Sequence, residues 1–78
     1  MADLQKILAD ITAAIVDKPD EIRITEEDDG DNVTLTLSVA PEDMGTVIGR
    51  HGRIAKAIRL IMKAAANSVD KKTTIDIK

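Results

Sequence analysis

At 78 residues the chain has room for one domain, residues 1–78, and a domain this size buries only roughly 60% of the surface its unfolded chain exposes. It has no cysteine, which excludes a disulfide framework or a thiolate zinc site, and no Phe, Trp or Tyr, which argues against an RRM, a cold-shock domain or an OB-fold, since these stack bases on aromatic side chains. The formal net charge of −3 hides an asymmetry: residues 1–44 hold 12 acids and 3 bases, whereas residues 45–78 hold 2 acids and 8 bases. A basic second half is an electrostatic footprint for a polyanion.

The first residues, Met1 to Lys6, lack the basic start and apolar core of a secretory leader, and the apolar run Ile11 to Val16 is far too short to span a bilayer. With no cysteine to suggest an oxidising compartment, a cytoplasmic location is expected. Leu4, Ile7, Leu8, Ile11 and Ile15 fall at i, i+3, i+4, i+7 and i+11, so Asp3 to Val16 is predicted as an amphipathic helix, ended by Lys18-Pro19-Asp20.

Glu21 to Glu26 alternates, with Ile22 and Ile24 on one face. Asn32 to Val39 alternates more strongly, with Val33, Leu35, Leu37 and Val39 inward. Asp29-Gly30 between them is a hairpin signal, so the two strands should pair antiparallel.

Pro41 suits the first position of a helix, and Glu42 and Asp43 complement its N-terminal dipole. That helix extends to about Ile48, where Gly49 breaks it. A longer helix spans about Gly52 to Ser68. Its expected core stripe is Ile54, Ile58, Ile61, Ala65 and Val69, with Arg53, Lys56, Arg59 and Lys63 on the opposite side. A third ridge, Arg53, Ala57, Leu60 and Ala64, leaves room for close approach by another helix or a ligand. Asp70-Lys71-Lys72 forms a turn, and Thr73 to Ile77 a last strand with Ile75 and Ile77 inward.

The two helices meet at Val47-Ile48-Gly49-Arg50-His51-Gly52-Arg53-Ile54. Glycines without a Cβ let another backbone come close and accept positive φ at little cost. The amides opening the following helix point outward at a partly positive helix end, which suits phosphate. Arg50 adds a fixed charge. This chemistry suits a clamp on a phosphodiester backbone, although a bare glycine-x-x-glycine spacing is a weak signal.

The order helix-strand-strand-helix-helix-strand, with Val-Ile-Gly-Arg-His-Gly between the two central helices, resembles the second, bacterial type of KH domain across essentially the whole chain. It is most similar to the small stand-alone KH proteins of the KhpA family. Gly45, Val47 to Arg53 and Ala57-Ile58-Arg59 carry the likeness. The resemblance implies an α+β fold with a three-stranded mixed sheet and three helices packed on one face. It also implies a loop that clamps about four nucleotides of single-stranded RNA. Carried over, Gly49, Arg50, His51 and Gly52 would contact the sugar-phosphate backbone; Arg53, next to the loop, and Lys56 are further RNA-binding candidates, against the alternative that Arg53, Lys56, Arg59 and Lys63 form an ordinary solvated helix face. Ile48, Ile54 and one face of the second strand would form the groove for bases. The resemblance also implies a homodimer that works with a larger KH-containing RNA-binding protein; the reading is an RNA-binding module acting as an RNA chaperone or post-transcriptional regulator. Ala57, Leu60, Ile61 and Ala64 are the candidate dimer surface.

The family often carries lysine where this chain has His51. Histidine changes charge between pH 5 and 8, so RNA affinity is expected to rise as pH falls from about 7.5 to 6. His51 is the one histidine, with no cysteine, serine or acid at motif spacing, so no enzyme is expected and no cofactor is called for. The acidic stretch Glu26 to Asp31 lacks the glycine and glutamate spacing of a calcium loop and reads as a solvated hairpin tip, with no metal site. The competing reading is a protein-interaction adaptor that keeps the KH fold and binds little RNA itself.

Overall fold

The computed structural model describes residues 3–78; Met1 and Ala2, part of the stretch read above for a secretory leader, lie outside the described residues. Helix α1 spans Leu4–Ala13 and opens on Asp3, whose carboxylate accepts the Lys6 amide at 3.1 Å as an N-cap. Leu4 and Leu8 are buried, Ile7, Ile11 and Ile15 half-buried, so the expected stripe faces inward. Thr12 is buried as well, and satisfies its hydroxyl on the Leu8 carbonyl at 2.8 Å. The helix ends three residues before the expected Val16.

Strand β1 spans Arg23–Asp28 and β2 spans Asn32–Ser38, paired antiparallel from Arg23 opposite Ser38 to Asp28 opposite Val33. The first strand thus starts two residues later than its alternation suggested. Pro19–Glu21 forms a 3-10 turn instead, and the chain's pairing continues through Glu26, Glu27 and Asp28. The hairpin tip is the expected one: Gly30 has φ 103°, and the Asp29 carboxylate accepts the Asn32 amide at 2.8 Å.

Pro41–Asp43 is a 3-10 turn leading into helix α2, Met44–Ile48. Helix α3 covers Arg53–Asn67, and strand β3, Lys72–Ile77, runs parallel to β2 with Leu35 opposite Ile75. The sheet order is β1-β2-β3, a mixed three-stranded sheet. Three helices cover the face formed by Val33, Leu35, Leu37 and Ile75, all buried. The open face alternates to Thr25, Thr34, Thr36, Ser38 and Thr74, polar throughout. This is the α+β arrangement expected of a KH domain.

The core stripe of α3 needs correction. Ala55, Ile58, Met62 and Ala66 are buried, whereas Ile54 is 39% and Ile61 48% exposed. The buried face is rotated toward the sheet relative to the expected one. Ala55, Ile58, Met62 and Ala66 carry the buried face, and Arg59 Nε donates to the Ile75 carbonyl at 3.2 Å, tying α3 to β3. Ranking the isoleucines above alanine and methionine placed the stripe wrongly. The C-terminus of α3 closes in a Schellman motif: Lys71 N–H reaches the Ala66 carbonyl at 3.0 Å and Asp70 N–H the Asn67 carbonyl at 3.2 Å, with Asp70 at φ 58°.

Candidate nucleic-acid interface

The position of the glycine loop is set from outside it. Asp43 is 2% exposed, and its two carboxylate oxygens accept the Asp17 amide at 3.1 Å and the Lys18 amide at 3.0 Å. Glu42 pairs with Lys18, which holds its carboxyl below the usual range and raises the Lys18 amine. These contacts tie the segment before α2 to the chain leaving α1. Asp43 was expected as a helix-dipole residue only; it is an anchor between segments more than twenty residues apart. Val47, fully buried, seats α2 on the core.

At Gly49 the chain turns sharply. Gly49 N–H closes α2 on the Gly45 carbonyl at 2.8 Å, and the residue takes φ 74°, ψ 174°, a region open essentially to glycine alone. A Cβ there would overlap the Ile54 side chain and lie 3.0 Å from the Ile54 backbone nitrogen. The two helices therefore meet across a surface that only hydrogen fits. Arg50, His51 and Gly52 form a 3-10 turn, with Gly52 N–H on the Gly49 carbonyl at 3.2 Å. His51 and Gly52 are both left-handed, at φ 58° and 72°. A Cβ at Gly52 would meet open space. Gly52 is the N-cap of α3, and no side chain caps that helix start.

Arg50, His51 and Arg53 are exposed around this turn, with Ile48 and Ile54 flanking it at 40% and 39% exposure. Sequence and structure agree in bringing these candidates together. Lys56 lies one turn further along α3, also exposed. The remaining face of the second strand is divided: Val33, Leu35 and Leu37 are consumed by the core, leaving only polar side chains on the other side. Leu60, at 70% exposure, and Ile61, Ala57 and Ala64 are exposed on α3.

Among the described residues the cations with a carboxylate within 4.0 Å are Lys6 with Asp10, Lys18 with Glu42 and Lys71 with Asp28. Arg50, Arg53, Lys56, Arg59 and Lys63 are in no such pair. The acidic hairpin tip is engaged locally: the Asp28 carboxylate accepts Lys71 Nζ at 2.7 Å and the Gly30 amide at 2.8 Å, and both bonds hold its carboxyl below the usual range. Two concavities lie away from the loop, one of about 420 Å³ between α1 and Ile22 and Ile24, the other of about 260 Å³ beside Val33, Val69 and Lys71.

The family model described as KhpA/KhpB, KH domain, matches residues 5–77. The chain belongs to this KhpA family of KH domains. Its relatives include the RNA-binding protein KhpA of Clostridium acetobutylicum, 46% identical over 95% of this chain and 99% of the relative. That of Halalkalibacterium halodurans is 43% identical over 95% and 97%, and that of Caldanaerobacter subterraneus 44% identical over 99% of both. The names of these KhpA relatives state binding and no reaction, and the chain, as a member of the family, is not an enzyme. No helix among the described residues is long and apolar enough to cross a membrane.

Proposed function

We propose that the chain is a cytoplasmic RNA-binding protein, one KH domain over residues 1–78, that clamps short single-stranded RNA at its glycine loop. The observation that carries the reading is the turn itself: Gly49 packed on Ile54, two left-handed residues after it, and unpaired cations around an uncapped helix start. Gly49, Arg50, His51, Gly52 and Arg53 hold sugar-phosphate through backbone amides and charge, and Lys56 adds a cation beside them. Ile48 and Ile54 offer apolar contact to bases. The relatives' name supports the substrate class.

One clamp touches few phosphates, so affinity is weak and salt-sensitive, and useful binding comes from linking two clamps. Ala57, Leu60, Ile61 and Ala64 form the surface for a second copy or for a larger KH-containing partner. The protein then acts as an RNA chaperone or post-transcriptional regulator. The same exposed patch, with Leu60 at 70%, favours the second reading, an adaptor working mainly through protein contacts.

Fluorescence anisotropy with short single-stranded RNA at two salt concentrations separates the two. The clamp reading expects binding that weakens with salt, strengthens from pH about 7.5 to 6 at constant ionic strength, and is abolished by Arg50→Asp/His51→Asp without loss of fold. Absence of binding by the wild type at low salt leaves the adaptor.

A further inference from the structure

Helix α3 carries Arg53, Lys56, Arg59 and Lys63 and not one acid over Arg53–Asn67. A solvated helix face ordinarily interleaves acids at i+4, which neutralise its lysines. Helix α1 does so, where Lys6 pairs with Asp10 at that spacing; Lys18 and Lys71 have carboxylates across the fold, while Arg23, Lys72 and Lys78 have none within 4.0 Å among the described residues. Arg59 is turned away to the β3 edge, where its Nε bonds the Ile75 carbonyl. That leaves Arg53, Lys56 and Lys63, all exposed. At about 100° per residue they share roughly 80° of the helix surface, opposite the buried Ile58 and Met62, and they extend about 15 Å along its axis. The row begins at the residue after Gly52.

We infer that this outer side of α3 is a cationic track that carries single-stranded RNA onward from the loop, so that the protein holds a strand longer than the roughly four nucleotides of a KH clamp. The inference rests on RNA binding at the loop. Two lysines are point charges that suit successive phosphates without reading sequence, so the track adds affinity and salt dependence and no base preference. Continuity with the loop favours a phosphodiester strand over an acidic protein. Leu60 lies within this arc, between Lys56 and Lys63 along the axis, so the track runs along the edge of the apolar patch that Ala57, Ile61 and Ala64 continue.

The test compares RNAs of about 4 and about 12 nucleotides over a salt series, each single-strand phosphate contact contributing about 0.7 to the slope of log affinity against log salt. Wild-type protein should show a steeper slope for the longer RNA. Lys63→Ala, a change at an exposed position, should lower that slope by about 0.7 and the affinity by about threefold to fivefold, leaving the shorter RNA unaffected. Asn67→Lys, one turn further on, should raise the slope for the longer RNA by about as much. Equal slopes for the two lengths, or longer-RNA binding indifferent to both substitutions, overturn the track and leave the clamp standing. A polyglutamate peptide that requires Lys63 while the longer RNA does not would assign the surface to an acidic protein and also overturn it. Wild-type protein that binds neither length overturns the clamp and the track together.

Discussion

Gly49 and Gly52 have the same spacing rule and different physical duties. Gly49 combines a backbone region open to glycine alone with a Cβ position already filled by Ile54. Gly52 is left-handed but faces open space. Gly49→Ala is therefore expected to cost about 3 kcal/mol, strain and overpacking together, and Gly52→Ala about 1 kcal/mol. At about 4–8 °C per kcal/mol for a domain this small, thermal melts resolve the difference. Equal melting temperatures for the two variants would contradict the close approach at Gly49. The glycines were legible in sequence because a turn is a local event. Asp43 was not, because its partners lie at Asp17 and Lys18, and nothing in Pro-Glu-Asp distinguishes a buried anchor from a helix-start acid.

At the scale of elements, alternation placed β2 and β3 to within one residue, because each strand has one apolar side and one polar side. It failed for the start of β1, where Ile22 belongs to the turn exit and the acidic Glu26, Glu27 and Asp28 pair anyway. Backbone pairing with β2 overrides the poor strand propensity of acids. In α3 the period was right and the phase wrong, since both a core and an exposed apolar patch lie on one helix and hydrophobicity alone does not rank them. The exposed patch gives a prediction of its own. Leu60→Glu should leave stability within about 0.5 kcal/mol, because Leu60 is largely in water, yet abolish self-association measured by sedimentation. A variant that still dimerises removes this surface as the interface.

The Lys71–Asp28 pair joins the start of β3 to the end of β1, and its pH window follows from both partners. Asp28 is held below its ordinary 3.8, so its contribution is present above that value and lost as pH falls through the lower folded pKa. Lys71 is raised above 10.5, so its contribution is present below that value and lost as pH rises through the higher one. The stability gap between wild type and Lys71→Met, followed by melts, should therefore narrow in acid below Asp28's folded pKa and also in high salt. A gap constant from neutral pH into strong acid would show that Lys71 acts through packing instead.

Over the whole molecule most of the cations without a carboxylate within 4.0 Å among the described residues fall in the base-rich second half. Acids in the first half hold Lys6, Lys18 and Lys71, while the loop and α3 keep their cations free. Total charge conceals this and sequence position reveals it, because the basic residues follow one another through a single loop and helix. Fold class was legible for a similar reason: six elements in one order, with the glycine turn between the central helices, leave few topologies. The KhpA membership agrees with that order.

The most direct test of the central claim is amide chemical-shift mapping as a four-nucleotide single-stranded RNA is added, a length that matches about one KH clamp. The account predicts the largest shifts from Ile48 to Ile54, salt-sensitive and absent in Arg50→Asp/His51→Asp. Shifts centred instead on Thr25, Thr34, Thr36 and Thr74 of the open sheet face would contradict it.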